Sequence, residues 1–279
     1  MVKSPGVGSP AAAVRAWSQQ IMGLPFSLHL RRPFSDPAAE LAVAALFADL
    51  RQADTVFSPY RADSELCRRD RGELPSGAGD PSWPEVLDLV RAAREATASG
   101  FDADAGGRFD PSGAVKGWAA ERAARQLGGL DADFFLNAGG DVLVRTTGPA
   151  GSAAPWRVGI EHPANPQALL AVVALTGGAV ATSGSVHRGP HILDPATGAP
   201  ARGVIQATVI GPTLTWSDIL ATAVVAAGQA RPDTTNWPPG YDVLLVTEEG
   251  LLAATPGIGA RLDPAVAAPP VQLRLPPPG

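Results

Sequence analysis

The sequence predicts an α+β fold, a single domain of mixed, largely antiparallel sheet with packed helices. Two observations carry this. Helical spacing of apolar residues dominates the first half of the chain, and short strand-like runs separated by glycine turns dominate the second. The 279 residues, 45% hydrophobic and 18% charged, are enough for one sizeable core. No internal repeat is visible. The expected boundaries are a flexible tail over 1–15, the domain over 16–265 and a Pro-rich tail over 266–279.

The elements follow in order. FSLHLRR (Phe26 to Arg32) alternates as a strand does. Pro37 to Asp54 has helical spacing, with Asp36 placed to cap it and Pro37 as its first residue. TVFSPYRADSEL reads as a polar loop, and RGELPSGAGDPS as a Gly/Pro/Ser connection. Trp83 to Gly100 is a second amphipathic helix, stopped by its glycine. Gly113 to Gly129 is a third, ended by a glycine pair. FFLNAGGDVLVRT reads as two strands around Gly-Gly, and WRVGIEHP, ALLAVVAL and VIQATVIG as further strands. WSDILATAVVAAG (Trp216 to Gly228) is a helix with Ser217 and Asp218 in its opening turn. DVLLVT-EEG-LLAAT closes the domain as a hairpin.

Composition narrows the function. A net charge of −5 and a pI near 5.4 argue against a general nucleic-acid binder. The single cysteine, Cys67, excludes an intrachain disulfide framework and a cysteine-based zinc site. The longest apolar run, from Ala168, is divided by Thr176, Gly177 and Gly178 into strand-sized pieces, so no stable membrane span is expected. The N-terminal segment lacks a long apolar stretch and a lipid-anchoring cysteine. A cytoplasmic location is therefore the expectation, with an exported form trimmed of its leader also compatible.

Four segments hold residues suited to chemistry. In FDPSGAVKGWAAER an Asp-Pro-Ser-Gly turn enters a helix carrying Lys116. This is either an anion site at a helix start or a capped surface helix. In FFLNAGGDVLV the glycines Gly139 and Gly140, before Asp141, permit close approach of a ligand, or simply make a hairpin. TSGS is followed by HRGPHILDPATG. His187 and His191 have zinc-like spacing only on a helix, which Gly189 and Pro190 oppose. His191 is either a general base or a packed loop residue. In WSDILATAV, Asp218 and Thr222 share a helix face as hard oxygen donors suited to Mg²⁺, or cap and pack the helix.

In this order the segments resemble the ApbE-type flavin transferases, the FAD:protein FMN transferases. The likeness runs from about Ile21 to Gly228: Met22-Gly23, FSPYRADSEL, GFD at Gly100 to Asp102, FDPSGAVKGWAAER, LNAGGD, VATSGS, HILDPATG and SDILATA. No one piece is specific, but the ordered set is. The resemblance implies a single catalytic domain of ApbE-like fold. It implies an enzyme that takes FAD as substrate with Mg²⁺, passes FMN to a Thr or Ser hydroxyl of an acceptor protein, and releases AMP. By resemblance His191 is the catalytic base, and Gly113 (through its carbonyl), Asp218 and Thr222 hold the metal. Met22, Tyr60, Gly100, Phe101, Asp102, Asp110, Lys116 and Ile192 contact FAD, and Asp194 with the Pro-Ala-Thr-Gly turn fixes the His191 loop. Departures from the family pattern fall at Leu24, Val186 and Ala196, with a mild one at Glu121, and point to an altered acceptor preference. Two other readings remain: an Mg²⁺-dependent FAD pyrophosphatase using the same site, and a non-catalytic FAD-binding protein.

Overall fold

The computed structural model describes residues 14–31, 37–75, 77–148, 154–186, 189 and 191–263. Among these residues, ten strands are arranged as an eight-stranded sheet and a two-stranded one. They are β1 (Val14–Ile21), β2 (Leu24–Arg31), β3 (Asp133–Ala138), β4 (Asp141–Arg145), β5 (Trp156–His162), β6 (Asn165–Leu175), β7 (Gly177–Gly184), β8 (Val204–Gly211), β9 (Asp242–Thr247) and β10 (Leu252–Ala254). The large sheet has the order β1-β2-β3-β4-β7-β8-β9-β10, and β5 pairs with β6. Every pairing between these strands is antiparallel, so the expectation of a mixed sheet resolves to an antiparallel one. Among the described residues there are five α-helices: α1 (Pro37–Phe57), α2 (Glu65–Asp70), α3 (Trp83–Ala96), α4 (Ser112–Ala124) and α5 (Leu214–Ala227). Among the described residues, no helix is long and apolar enough to cross a membrane.

Alternation along the strands puts a core on each face of the sheet. Leu143, Ala179 and Ala181 join Phe26, Leu28, Leu30, Phe134 and Leu136 beneath α1 and α4. Ala207, Val209, Val243 and Leu245 pack under α5. Their sequence neighbours Val142, Val144, Val180, Ile210, Leu244 and Val246 face the opposite way, onto the β5–β6 hairpin. A sheet covered on both faces reads as nearly continuous apolar sequence, as DVLLVT and VIQATVIG do.

Several elements differ from the sequence reading, each for a local reason. β1 was expected to begin as tail at Val14 and Arg15. Its mostly exposed residues carry little strand signal, and it exists because β2 pairs with it along its whole length. The remaining tail residues, and the proposed Asp36 cap, lie outside the described residues. Thr55, Val56 and Phe57 extend α1 because Val56 and Phe57 are buried. The supposed loop after them contains α2. Ser64 caps it, accepting from Cys67 N at 3.1 Å, and Glu65 accepts from Asp80 N and Trp83 Nε1 at 2.9 and 2.8 Å. Much of the FSPYRADSEL signature is thus a capping device that leaves Tyr60 80% exposed. α3 stops at Ala96, four residues before Gly100, and α4 passes into a 3₁₀ turn at Arg125–Leu127 before the glycine pair.

The contact of α4 with α5 depends on a missing side chain. A Cβ on Gly117 would lie 2.7 Å from Leu214 O and 3.0 Å from the Cβ of Asp218. Gly117→Ala therefore forces the two helices apart. Overpacking of this kind costs about 1–3 kcal/mol, against about 1 kcal/mol of helix propensity recovered. The expected net result is a melting temperature lower by a few degrees, measured by thermal unfolding. An unchanged or raised midpoint would show that the helices separate without cost.

Candidate active site

A cleft of about 400 Å³ opens where the α4–α5 pair meets the ends of several strands, a volume suited to a small-molecule ligand. All twelve residues that the sequence assigned to the base, the metal or FAD line it. The two-residue β1–β2 turn brings Met22, held at φ 53°, to the rim, and Gly23 at φ 70° completes a turn that suits the strand twist. Tyr60 stands at the mouth. Gly100, Phe101 and Asp102 form one wall. A Cβ on Gly100 would sit 3.1 Å from Thr97 O and 3.4 Å from Ala223 O, so the wall lies close against α5. Phe101 is buried beside Ala114 and Ile219. Asp102 meets Arg94 at 3.4 Å.

Asp110 and Gly113 come from the entry to α4. Asp110 Oδ1 accepts from Ser112 N at 2.9 Å, so this turn is built as the Asp-Pro-Ser sequence suggests. Gly113 touches the α5 side of the cleft: a Cβ there would be 3.0 Å from the Phe101 ring and 3.5 Å from Thr222 Cγ2. Asp218 does not cap α5. Thr213 does, through its side chain, and Glu121 holds the first turn, accepting from Thr215 N at 3.1 Å. Asp218, one turn further in, is 2% exposed. Its Oδ2 accepts from Gly117 N and its Oδ1 from Lys116 Nζ, both at 3.0 Å. Lys116 Nζ also contacts Asp141, whose other oxygen accepts from Thr182 N at 2.9 Å.

The floor of the cleft is thus one ammonium bracketed by two buried carboxylates. A fixed charge pattern of this kind is costly to bury unless every member is paired. Thr222 Oγ1 is 3.0 Å from Ser183 Oγ, which adds a second hydroxyl beside the α5 donors.

His191 lies on the loop between β7 and β8. Its Nδ1 is 3.0 Å from Gly189 O. A carbonyl oxygen only accepts, so Nδ1 carries the proton and Nε2 is the free basic nitrogen of the neutral ring. The Asp-Pro-Ala-Thr-Gly turn braces this loop. Asp194 accepts from Ala196 N at 2.9 Å and from Thr197 Oγ1 at 3.0 Å, and Ala201 N donates to Ile192 O at 2.9 Å. Ile192 anchors the loop against the apolar cluster under α5. The other half of the zinc-like pair, His187, lies outside the described residues.

Asp141, Ser183 and Gln206 also meet here, though none of them had a role assigned from the sequence. Asp141 and Ser183 were in view within GGD and TSGS, but nothing local marks which polar residue of a turn faces inward. Gln206 sits in a strand that reads as apolar.

The ApbE family model matches residues 102–244. A Rhodobacter capsulatus FAD:protein FMN transferase is 37% identical over 145 residues, covering 47% of this chain and 26% of that protein. An Escherichia coli K12 FAD:protein FMN transferase is 31% identical over 151 residues, covering 50% of this chain and 43% of that one. The matched part is less than half of either relative's length. Among solved structures, a flavin transferase ApbE from Vibrio cholerae superposes with a TM-score of 0.77 at 20% identity. It covers 90% of this chain and 100% of that one. An ApbE protein from Thermotoga maritima gives 0.76 at 23%, with the same coverage. At these identities the structural likeness establishes the fold.

Proposed function

Because the chain belongs to the ApbE family, we propose that it is an FAD:protein FMN transferase, moving FMN from FAD to a Thr or Ser hydroxyl of an acceptor protein with release of AMP. The observation that carries this reading is the convergence of twelve residues from six separate chain segments on one cleft. The transfer forms one bond and breaks one. The acceptor oxygen bonds to the FMN-side phosphorus, the phosphorus–oxygen bond to AMP breaks, and the hydroxyl proton passes to His191 Nε2. Met22 and Tyr60 would flank a ring at the mouth, and Gly100, Phe101, Asp102 and Ile192 would line the nucleotide. Asp110 would hold the α4 entry in shape, and Lys116 would offset phosphate charge.

The residues present fit Mg²⁺. Among the described residues no group of three or more His, Cys, Asp or Glu could hold an ion. Mg²⁺ needs no such cage, since one or two carboxylates and substrate phosphates suffice. Asp218, Thr222 and the Gly113 carbonyl are hard oxygen donors on adjoining turns of α4 and α5, and would hold it. When bound, the ion supplies charge neutralisation at the pyrophosphate.

The test is mass spectrometry on an acceptor fragment incubated with the protein, FAD and Mg²⁺, with AMP quantified in the same tube. The fragment carries an Asp followed three residues later by Ser or Thr and then Gly-Ala. An acceptor heavier by one FMN, with matching AMP, is expected. AMP and free FMN with an unmodified acceptor would instead mark a pyrophosphatase. Bound FAD with neither product would mark a flavin-binding protein.

A further inference from the structure

One cleft residue has a polar end that none of these roles uses. Gln206 is 7% exposed and lines the cleft from β8. The register between β8 and β9 shifts between Val204 and Gln206, leaving Ile205 as an extra residue. Such a bulge re-aims the next side chain. Gln206 Nε2 donates to Glu161 O on β5 at 3.0 Å. Because that partner is a carbonyl, the amide nitrogen must face it, and the orientation of the amide is set. The acceptor end, Oε1, makes no hydrogen bond among the described residues, and Gln206 lines the cleft. Across the sheet the paired residue is Gly184, where a Cβ would lie 2.5 Å from Ile205 O and 3.3 Å from the Cα of Gln206. The missing side chain there lets the strands close up beside Gln206.

We propose that Gln206 is a specificity residue, whose Oε1 accepts a hydrogen bond from the N–H that lies between two carbonyls on the pyrimidine ring of the flavin. This rests on the flavin-transferase reading above. Gln206 stands beside the chain segment that runs from Gly184 towards His191. The phosphorus that meets His191 belongs to the FMN half of FAD, so the flavin rather than the adenine is the ring on this side. A buried acceptor discriminates strongly against a ligand without the matching donor, since the oxygen is then desolvated and unpaired.

Calorimetry in metal-free buffer tests this with FAD, FAD methylated at that ring nitrogen (N3) and ADP, on the wild-type protein and on Gln206→Leu. The wild-type protein is expected to bind N3-methyl-FAD about tenfold more weakly than FAD. Gln206→Leu is expected to lose a similar factor for FAD, to bind ADP as before, and to bind the two flavins alike. Equal wild-type affinity for FAD and N3-methyl-FAD overturns the assignment without any variant being needed. A parallel loss for FAD and ADP in Gln206→Leu also overturns it, placing the residue in a structural role or against adenine. A wild-type protein that binds ADP but no flavin overturns the transferase reading itself, an outcome distinct from the other two.

Discussion

Asp218→Ala is expected to abolish Mg²⁺-dependent FMN transfer. The carboxylate is the one charged donor in the proposed ion site, and it also orients Lys116 and accepts from Gly117 N. Losing a group that stabilises charge at the reacting phosphate costs about 10²–10³ in rate even when others remain. Loss of the ion with it should take turnover to background. Folding should survive, because Lys116 keeps Asp141 as a partner. The stability loss is therefore expected to fall below the roughly 3–5 kcal/mol typical of an orphaned buried charge. Asp218→Asn separates the two effects. It keeps size and acceptor, so its melting point should lie nearer the wild type, while transfer stays at background and calorimetry detects no Mg²⁺ binding in the presence of FAD. Turnover that persists unchanged in Asp218→Ala would sink the metal assignment.

His191→Ala should lower kcat about 10²–10⁴-fold, the usual contribution of a positioned general base. FAD affinity should stay within about threefold, since the exposed ring makes its hydrogen bond to Gly189 O rather than to the cleft floor. The checks are single-turnover formation of flavinylated acceptor and a separate binding titration. AMP release should fall in parallel, because the same proton removal starts both events. A variant that loses FAD binding as completely as it loses turnover would make His191 a binding residue rather than the base.

Much of the architecture was legible from local pattern. The cores of α1, α3, α4 and α5, and strands β2 to β9, follow from apolar spacing and from turns such as Asn137-Ala-Gly-Gly, in which Asn137 Oδ1 accepts from Gly140 N at 2.8 Å. β1 and α2 were not legible. Val14–Ile21 is held by pairing rather than by its own pattern, and the six residues of α2 are too short for helical spacing to show. The cleft residues were legible as an ordered set of motifs, and pattern alone left each of them with a structural alternative. The structure removes the capping alternative for Asp218, because Thr213 occupies that position.

Local pattern is enough to set the alternation of buried and exposed positions, the turns, and the polar residues that interrupt an apolar chain. These depend on neighbours within a few residues, where side-chain period and backbone preference act directly. Which of those polar residues meet depends on how the helices and strands pack. Lys116 and Asp218 are 102 residues apart, and Lys116 meets both Asp218 and Asp141 because α4 and α5 pack together at Gly117 above the strand that carries Asp141. Gln206 reaches the cleft through a one-residue bulge that its strand's sequence does not announce. The pairing of buried charges is set by desolvation and by contacts across the sheet and the helix layer, and neither has a signature in local sequence spacing.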